Sequence, residues 1–309
     1  MKKVLITGIE GFVGNYLAGY LSSLDYDVYG TYFAIPPRTD YKIYYCDIRN
    51  HSQVLRVIKT IRPKVIFHLA AQSSVSQGEK NLKDTFAINT LGTLNILESV
   101  KEVKIKPRIM YISSCEVYGR SDKKLTETSS TNPVSFYALS KLCAEKICLY
   151  YVNQYDFDVV ILRPFSHTGP GQAEHFIFPS VAKRIAEIEA GKRRPVLGVG
   201  NIKVKRDYLD VSDVIRAYYW AMKKGKSGEI YNITSGKPYT IEKCISFLLS
   251  LSQKKIKVKT IKSLIRANDI PILTGSAKKF SALTGWKPEV SFFTTLADLL
   301  NYYRMQMED

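Results

Sequence analysis

Val4-Leu5-Ile6-Thr7-Gly8-Ile9-Glu10-Gly11-Phe12-Val13-Gly14 is the stretch on which the reading of the chain turns. Val4, Leu5 and Ile6 form a short apolar run, the pattern of a strand buried on both faces. Three glycines follow, then apolar residues at helical spacing: Phe12, Val13, Tyr16, Leu17, Tyr20, Leu21 and Leu24. Strand, glycine turn and helix in that order form the setting in which a dinucleotide is bound. Gly8 permits the tight turn, Gly11 leaves a pyrophosphate room to approach backbone N–H groups, and Gly14 lets the helix lie against the strand. The anion then faces the unpaired N–H groups and the positive dipole end of the helix. Gly8, Gly11, Phe12, Val13 and Gly14 therefore open the cofactor-binding set, and the expected cofactor is NADP(H) or NAD(H).

With 309 residues the chain can bury a large core, either as one α/β domain with an appendage or as two domains. No apolar run is long enough to span a bilayer and no cleavable signal is visible, so a cytoplasmic protein with no membrane partner is expected. The five cysteines are scattered and odd in number, which points to reduced thiols. Neither they nor the four histidines show metal-ligand spacing, so no metal is expected. The net charge of +17 is the unusual feature. Its lysines are spread over expected helix surfaces without a basic block interleaved with stacking aromatics, which argues against nucleic acid. Attraction for anionic small molecules is the use that fits a pyrophosphate-binding chain.

Strand and helix patterns alternate through the first half. Asp27 to Tyr32 reads as a second strand, and it ends without the acid that usually receives a ribose 2′-hydroxyl. Thr31 and Tyr32 stand there and the next charge is Arg38, so NADPH or dual use is expected. Lys42 to Ile48 reads as a third strand; its Asp47 either accepts from the adenine amino group, with Ile48 packed on the ring, or caps the next helix. Lys64 to Ala71 is a fourth strand, whose small end at Leu69, Ala70 and Ala71 allows a cofactor close. A helix follows across Phe86 to Leu97, and then a fifth strand from Arg108 to Ser114. Ser114-Cys115-Glu116 lies just past its C-terminal end, where ligands of doubly wound sheets bind. After a further strand at Asp158 to Arg163, glycine- and proline-rich stretches punctuate shorter elements. A division into residues 1–165, a cofactor domain, and 166–309, a substrate lobe, is expected. The helix near 211–222 and the strand at 229–233 are candidates to return to the first sheet.

Tyr137-Ala138-Leu139-Ser140-Lys141 is the strongest local signal after the glycines. Positions i and i+4 share one helix face, so a lysine there can hold a cofactor ribose and place positive charge near the phenol. That charge favours phenolate and should draw the tyrosine pKa down towards working pH. The pair can then move a proton at a carbonyl or carbinol, with Ser114 aligning the oxygen.

Taken together, Thr7-Gly8-x-x-Gly11-x-x-Gly14, Asp47-Ile48, His68 to Ala71, Asn89-x-x-Gly92, Ser113-Ser114, Tyr137-x-x-x-Lys141 and Arg163-Pro164 resemble the extended short-chain dehydrogenase/reductase family, nucleotide-sugar branch. Segments at 167–172, 188–191, 199–201, 206–211 and 266–271 are most similar to its GDP-4-keto-6-deoxy-mannose reductases. The resemblance implies a Rossmann doubly wound parallel sheet with a smaller mixed α/β C-terminal lobe, a GDP-sugar substrate and a homodimer. It implies catalytic roles for Ser114, Tyr137 and Lys141, and substrate contacts at Ser166, His167, Arg206 and Arg266. A guanidinium suits a diphosphate, to which it makes paired, charge-assisted hydrogen bonds; otherwise Arg206 and Arg266 are surface groups paired with Asp207 or Asp269. Two departures stand out. Ser166 replaces the family's usual asparagine and lacks its amide donor, and Arg266-Ala267-Asn268-Asp269 lacks the usual stiffening proline. Glu116 matches the base of the related 4,6-dehydratases, so a dehydratase is the alternative to a 4-keto reductase, followed by an epimerase and a non-catalytic NADP-binding module.

Overall fold

The computed structural model describes residues 2–37, 39–265 and 269–308. In chain order the first half runs β1 (Lys3–Thr7), α1 (Phe12–Ser22), β2 (Asp27–Tyr32), β3 (Lys42–Tyr45), α2 (His51–Ile61), β4 (Val65–His68), α3 (Val75–Gly78), α4 (Leu82–Phe86), α5 (Gly92–Glu102), β5 (Arg108–Ile112), α6 (Phe136–Tyr155) and β6 (Asp158–Pro164). The second half adds β7 (Ser166–Thr168), α7 (Ile177–Glu189), β8 (Val196–Val199), β9 (Lys205–Asp210), α8 (Val211–Lys224), β10 (Ile230–Ile233), β11 (Pro238–Thr240), α9 (Ile241–Ser250), β12 (Lys257–Thr260), β13 (Ile272–Leu273), α10 (Lys278–Thr284) and α11 (Phe292–Glu308).

Seven strands form one parallel sheet in the order β10-β6-β5-β4-β1-β2-β3. The interior strands are apolar on both faces because both are covered by helices. Leu5, Ile66 and Ile161 face the layer containing α2, α5 and α6. Val4, Ile6, Phe67 and Leu162 face the layer containing α1 and α8. This is the Rossmann doubly wound arrangement, and its strand order reverses between β1 and β4. Their ends meet at Thr7, which pairs in register with Thr31 on one side and His68 on the other.

The segments after residue 165 divide between two places. β10 lies beside β6 at the edge of the large sheet, and α8 packs against α1. The remainder builds a smaller layer: β9 pairs with β7 and β13 in parallel and with β11 antiparallel. A separate core of Phe178, Ile185, Leu248, Leu296 and Leu300 joins α7, α9 and α11 beneath that layer.

Two elements differ from their sequence patterns. The third strand ends at Tyr45, and residues 46–48 turn away from the sheet towards the crevice. The helix expected across Phe86–Leu97 is interrupted by a π-turn at Ala87–Leu91. That turn carries Asn89, whose buried amide accepts from Gln72 N–H (2.9 Å) and donates to Gln72 O (3.1 Å) and Ser140 Oγ (2.9 Å). The extra residue in the turn thus ties the loop after β4 to α6, and π-turns commonly serve such local demands.

Candidate active site

A cavity of about 850 Å³ opens at the ends of β1 and β4, within the size range of a ligand site. Its cofactor side is built from backbone. Gly8 has φ +71°, which only glycine adopts without strain, and a Cβ there would lie 3.0 Å from Ala70 Cα. At Gly14 a Cβ would collide with Gly8 O and the Ile9 backbone, whereas at Gly11 it would be 3.2 Å from Gly8 O. Gly11 therefore preserves open space rather than a packing contact. It also caps α1 with no side-chain acceptor, so the first-turn N–H groups face the cavity. Free helix donors and a cradle that side chains would fill are what a dinucleotide pyrophosphate requires.

Gly8, Gly11, Phe12, Val13, Gly14, Asp47, Ile48, Leu69, Ala70, Ala71, Tyr137 and Lys141 all line this one cavity. Asp47 does not cap α2; Asn50 does, accepting from Gln53 N–H at 3.1 Å. The Asp47 carboxylate instead takes Arg49 N–H and its guanidinium at 2.8–3.0 Å, and that pairing holds its pKa below the usual carboxylate range. Arg49 lies over the Phe33 ring at 5.3 Å. Arg38 lies outside the described residues.

At the far end, α6 brings Tyr137 and Lys141 to the pocket one turn apart. Its start is fixed twice: Ser135 Oγ accepts from Ala138 N–H (3.1 Å), and the Glu79 carboxylate accepts from Phe136 N–H (2.6 Å). A cap of this kind contributes about 1 kcal/mol, and here it also sets the rotation that aims Tyr137. Ser114 follows β5, accepts from Glu116 N–H at 3.2 Å, and is hydrogen-bonded to the Tyr137 phenol. All three side chains are buried.

Burial raises the Tyr137 pKa well above that of an ordinary phenol, against the opposing hydrogen bond from Ser114; Glu116 and Cys115 push it further up. The expected lowering by Lys141 is therefore not what the geometry delivers. The Lys141 ammonium lies over the Tyr111 ring at 5.0 Å, and burial depresses its own pKa to about 8, opposed by Glu145 and Cys148. Glu145 is itself held by Arg163 through two bonds (2.9 and 2.6 Å) and by Ser113. His68 sits between Thr7 Oγ1 (2.8 Å) and Thr93 Oγ1 (3.1 Å), where burial lowers its pKa to about 3 and keeps it neutral.

Ser166, His167, Arg206 and Glu116 line the same cavity. His167 is bonded through Nδ1 to Phe165 O (3.0 Å) and stacks on Phe12, and burial lowers its pKa. Arg206 is buried rather than a surface group. It donates to Ile270 O (2.6 Å), Lys205 O (3.0 Å) and Asp269 (3.1 Å). Asp207 points elsewhere, holding the turn at Thr234, Ser235 and Gly236. Arg266 lies outside the described residues. Sequence reasoning passed over three charged groups lining the cofactor side, Glu10, Arg49 and Asp84. Glu10 stood inside the quoted motif, and only folding shows which way its side chain turns.

The family model described as GDP-mannose 4,6 dehydratase matches residues 5–299. GDP-6-deoxy-D-mannose reductase from Pseudomonas aeruginosa is 31% identical over all of this chain and 99% of that protein. GDP-6-deoxy-D-talose 4-dehydrogenase from Aggregatibacter actinomycetemcomitans is 29% identical, covering 92% of this chain and 91% of its own. Among solved structures, RMD from Pseudomonas aeruginosa complexed with NADPH superposes with a TM-score of 0.88 at 30% identity, over 99% of this chain and 100% of that one. UDP-glucose 4-epimerase from Thermus thermophilus in complex with NAD gives 0.88 at 26% identity, over 98% and 99%. With its glycine cradle, its Ser-Tyr-Lys cluster and a full-length match behind it, the chain belongs to the GDP-mannose 4,6 dehydratase family of extended short-chain dehydrogenases/reductases.

Proposed function

We propose that this protein is an NAD(P)H-dependent reductase of the 4-keto group of a nucleotide-diphospho-4-keto-6-deoxy sugar, converting GDP-4-keto-6-deoxy-D-mannose to GDP-D-rhamnose. The observation that carries the reading is the buried Tyr137 phenol, gathered with Ser114 and Lys141 in the cofactor cavity. A reduction needs an acid at the new hydroxyl, and a phenol kept in its protonated form is that acid. When bound, the reduced nicotinamide supplies a hydride to the carbonyl carbon. Tyr137 gives its proton to the sugar O4, and Ser114 orients that oxygen through its own hydroxyl. Lys141 keeps its ammonium below a pH of about 8 and holds the cofactor ribose. Across the cavity Arg206, aimed by Asp269 and by Ile270 O, takes the sugar diphosphate beside Ser166 and His167.

The dehydratase reading has one observation of its own, since Glu116 lines the cavity two residues from Ser114. In the reductase, Glu116→Gln leaves most activity intact, because no proton leaves sugar carbon. We further read the molecule as a cytoplasmic homodimer. Its support is the exposed apolar face of Leu91, Leu139, Tyr150 and Tyr155 around α5 and α6, together with five free thiols; no helix among the described residues is long and apolar enough to cross a membrane. The function is tested by adding GDP-4-keto-6-deoxy-D-mannose to protein and reduced cofactor. One cofactor is oxidised per product. Conversion of GDP-mannose to a 4-keto-6-deoxy sugar with no net oxidation, abolished by Glu116→Gln, would make the protein a dehydratase instead.

A further inference from the structure

The end of β2 is where a Rossmann protein reads the 2′ position of the adenosine ribose, and here it carries Tyr32 and Phe33. A carboxylate nevertheless reaches it from a different element. Glu10, in the turn between β1 and α1, crosses to β2 and accepts the backbone N–H of Phe33 through Oε1 at 2.9 Å. Its second oxygen, Oε2, is buried and meets no hydrogen-bond partner among the described residues. Glu10, Tyr32 and Phe33 all line the cavity. The backbone bond at Oε1 holds the carboxylate in this place.

We infer that the Glu10 carboxylate, fixed beside the end of β2, disfavours a 2′-phosphate by its charge, so that the protein selects NADH over NADPH. The surrounding charges point the same way. Arg49 is the cation lining this end of the cavity among the described residues, and it is already committed to Asp47 at 2.8–3.0 Å and to Asp84 at 3.4 Å. Two carboxylates, Asp47 and Asp84, already share that guanidinium, and Glu10 lines the same cavity without an ion pair of its own among the described residues. A 2′-phosphate would bring roughly two further negative charges to the same place. The carboxylate usually supplied by the last residue of β2 is supplied here from the glycine turn. The bare end of β2 alone gives the expectation of NADPH or dual use, and the charge of Glu10 is the argument for NADH.

The inference rests on the cavity being a dinucleotide site and is independent of which reaction follows. Its test is the pair of dissociation constants for NADH and NADPH, read by nicotinamide fluorescence on wild type and on Glu10→Gln. The glutamine keeps an acceptor for Phe33 N–H and removes the charge. Wild type binds NADH at least about tenfold more tightly, a modest demand for like charges in a partly buried site. Glu10→Gln reduces that ratio about tenfold, chiefly by tightening NADPH. ADP-ribose and its 2′-phosphorylated form, competing against NADH on wild type, give the same ordering without any variant. Tighter NADPH binding by wild type, or an unchanged ratio in folded Glu10→Gln, overturns the assignment of Glu10 while leaving the cofactor cavity intact. Binding of neither nucleotide removes the cavity reading and this inference together.

Discussion

The two walls of the cavity are built by different means. The cofactor wall, from Gly8 to Ala71, is made of backbone at strand ends, and its shape depends on where a Cβ is absent. The wall we propose for the sugar nucleotide, from Ser166 to Tyr208, is made of side chains held by hydrogen-bonding partners. Arg206 is aimed by Asp269 and Ile270, and Gln172 ties Thr168 (2.6 Å) to His167 O (3.1 Å). A backbone wall tolerates few residue types and announces itself in sequence. A side-chain wall can keep its function while its neighbours change, and so carries a weaker sequence signature.

Substitutions should therefore separate the walls. The largest effect is expected at Gly11. A valine there would put its Cβ 3.2 Å from Gly8 O, a tight contact, and its methyls would fill the pyrophosphate approach. Gly11→Val should weaken cofactor binding by about 100-fold or more, the loss of several helix-terminus hydrogen bonds. Wild-type affinity in the folded variant, titrated by fluorescence, would break the backbone account of this wall.

Arg206→Ala comes next. It should raise the substrate Kd by about tenfold to 100-fold, as expected for a charge-assisted phosphate contact, and leave cofactor affinity unchanged. Calorimetry with a GDP-sugar measures the first and fluorescence the second. Equal losses of both ligands would mean that Arg206 supports the whole cavity rather than one wall.

The smallest expected effect is a pH dependence of stability rooted in the cofactor wall. His68 has a folded pKa of about 3 against an ordinary 6.5, so the unfolded chain binds its proton first as pH falls. The stabilising contribution is complete above 6.5 and is progressively lost below it; His167, lowered by burial, acts in the same direction. Thermal melts of the apoprotein between pH 7 and about 5, above the carboxylate range, should show Tm declining. His68→Gln should flatten part of that slope. An equally steep slope in the variant would remove His68 as its source.

What could be read from sequence follows the same division. The alternation of strands and helices, the glycine cradle and the Tyr137–Lys141 pair were legible because each depends on a spacing along the chain. The fate of individual charges was not. Asp47 had two readings until its carboxylate was found on Arg49. Arg206 had a surface reading beside the diphosphate one, and it is buried against Ile270, 64 residues away. Glu10 sits in the most informative stretch of the chain, and its role depends on a bond to Phe33 that no local pattern encodes. The expected lowering by Lys141 does not govern Tyr137, whose pKa is raised by its burial and by Glu116 and Cys115. Desolvation is a property of the assembled fold, so spacing alone cannot weigh it against a neighbouring charge.

The central claim is that the protein reduces the sugar at C4 with a proton from Tyr137. The direct test is a turnover of GDP-4-keto-6-deoxy-D-mannose with 4-deuterated reduced cofactor, the product being read by NMR and mass spectrometry. Wild type should give a GDP-6-deoxy sugar carrying one deuterium, at C4, and Tyr137→Phe should lose about 100-fold or more in kcat while binding cofactor as before. Product without deuterium, or [4-²H]GDP-mannose converted by the protein alone to a 4-keto sugar with its deuterium at C6, would contradict the account.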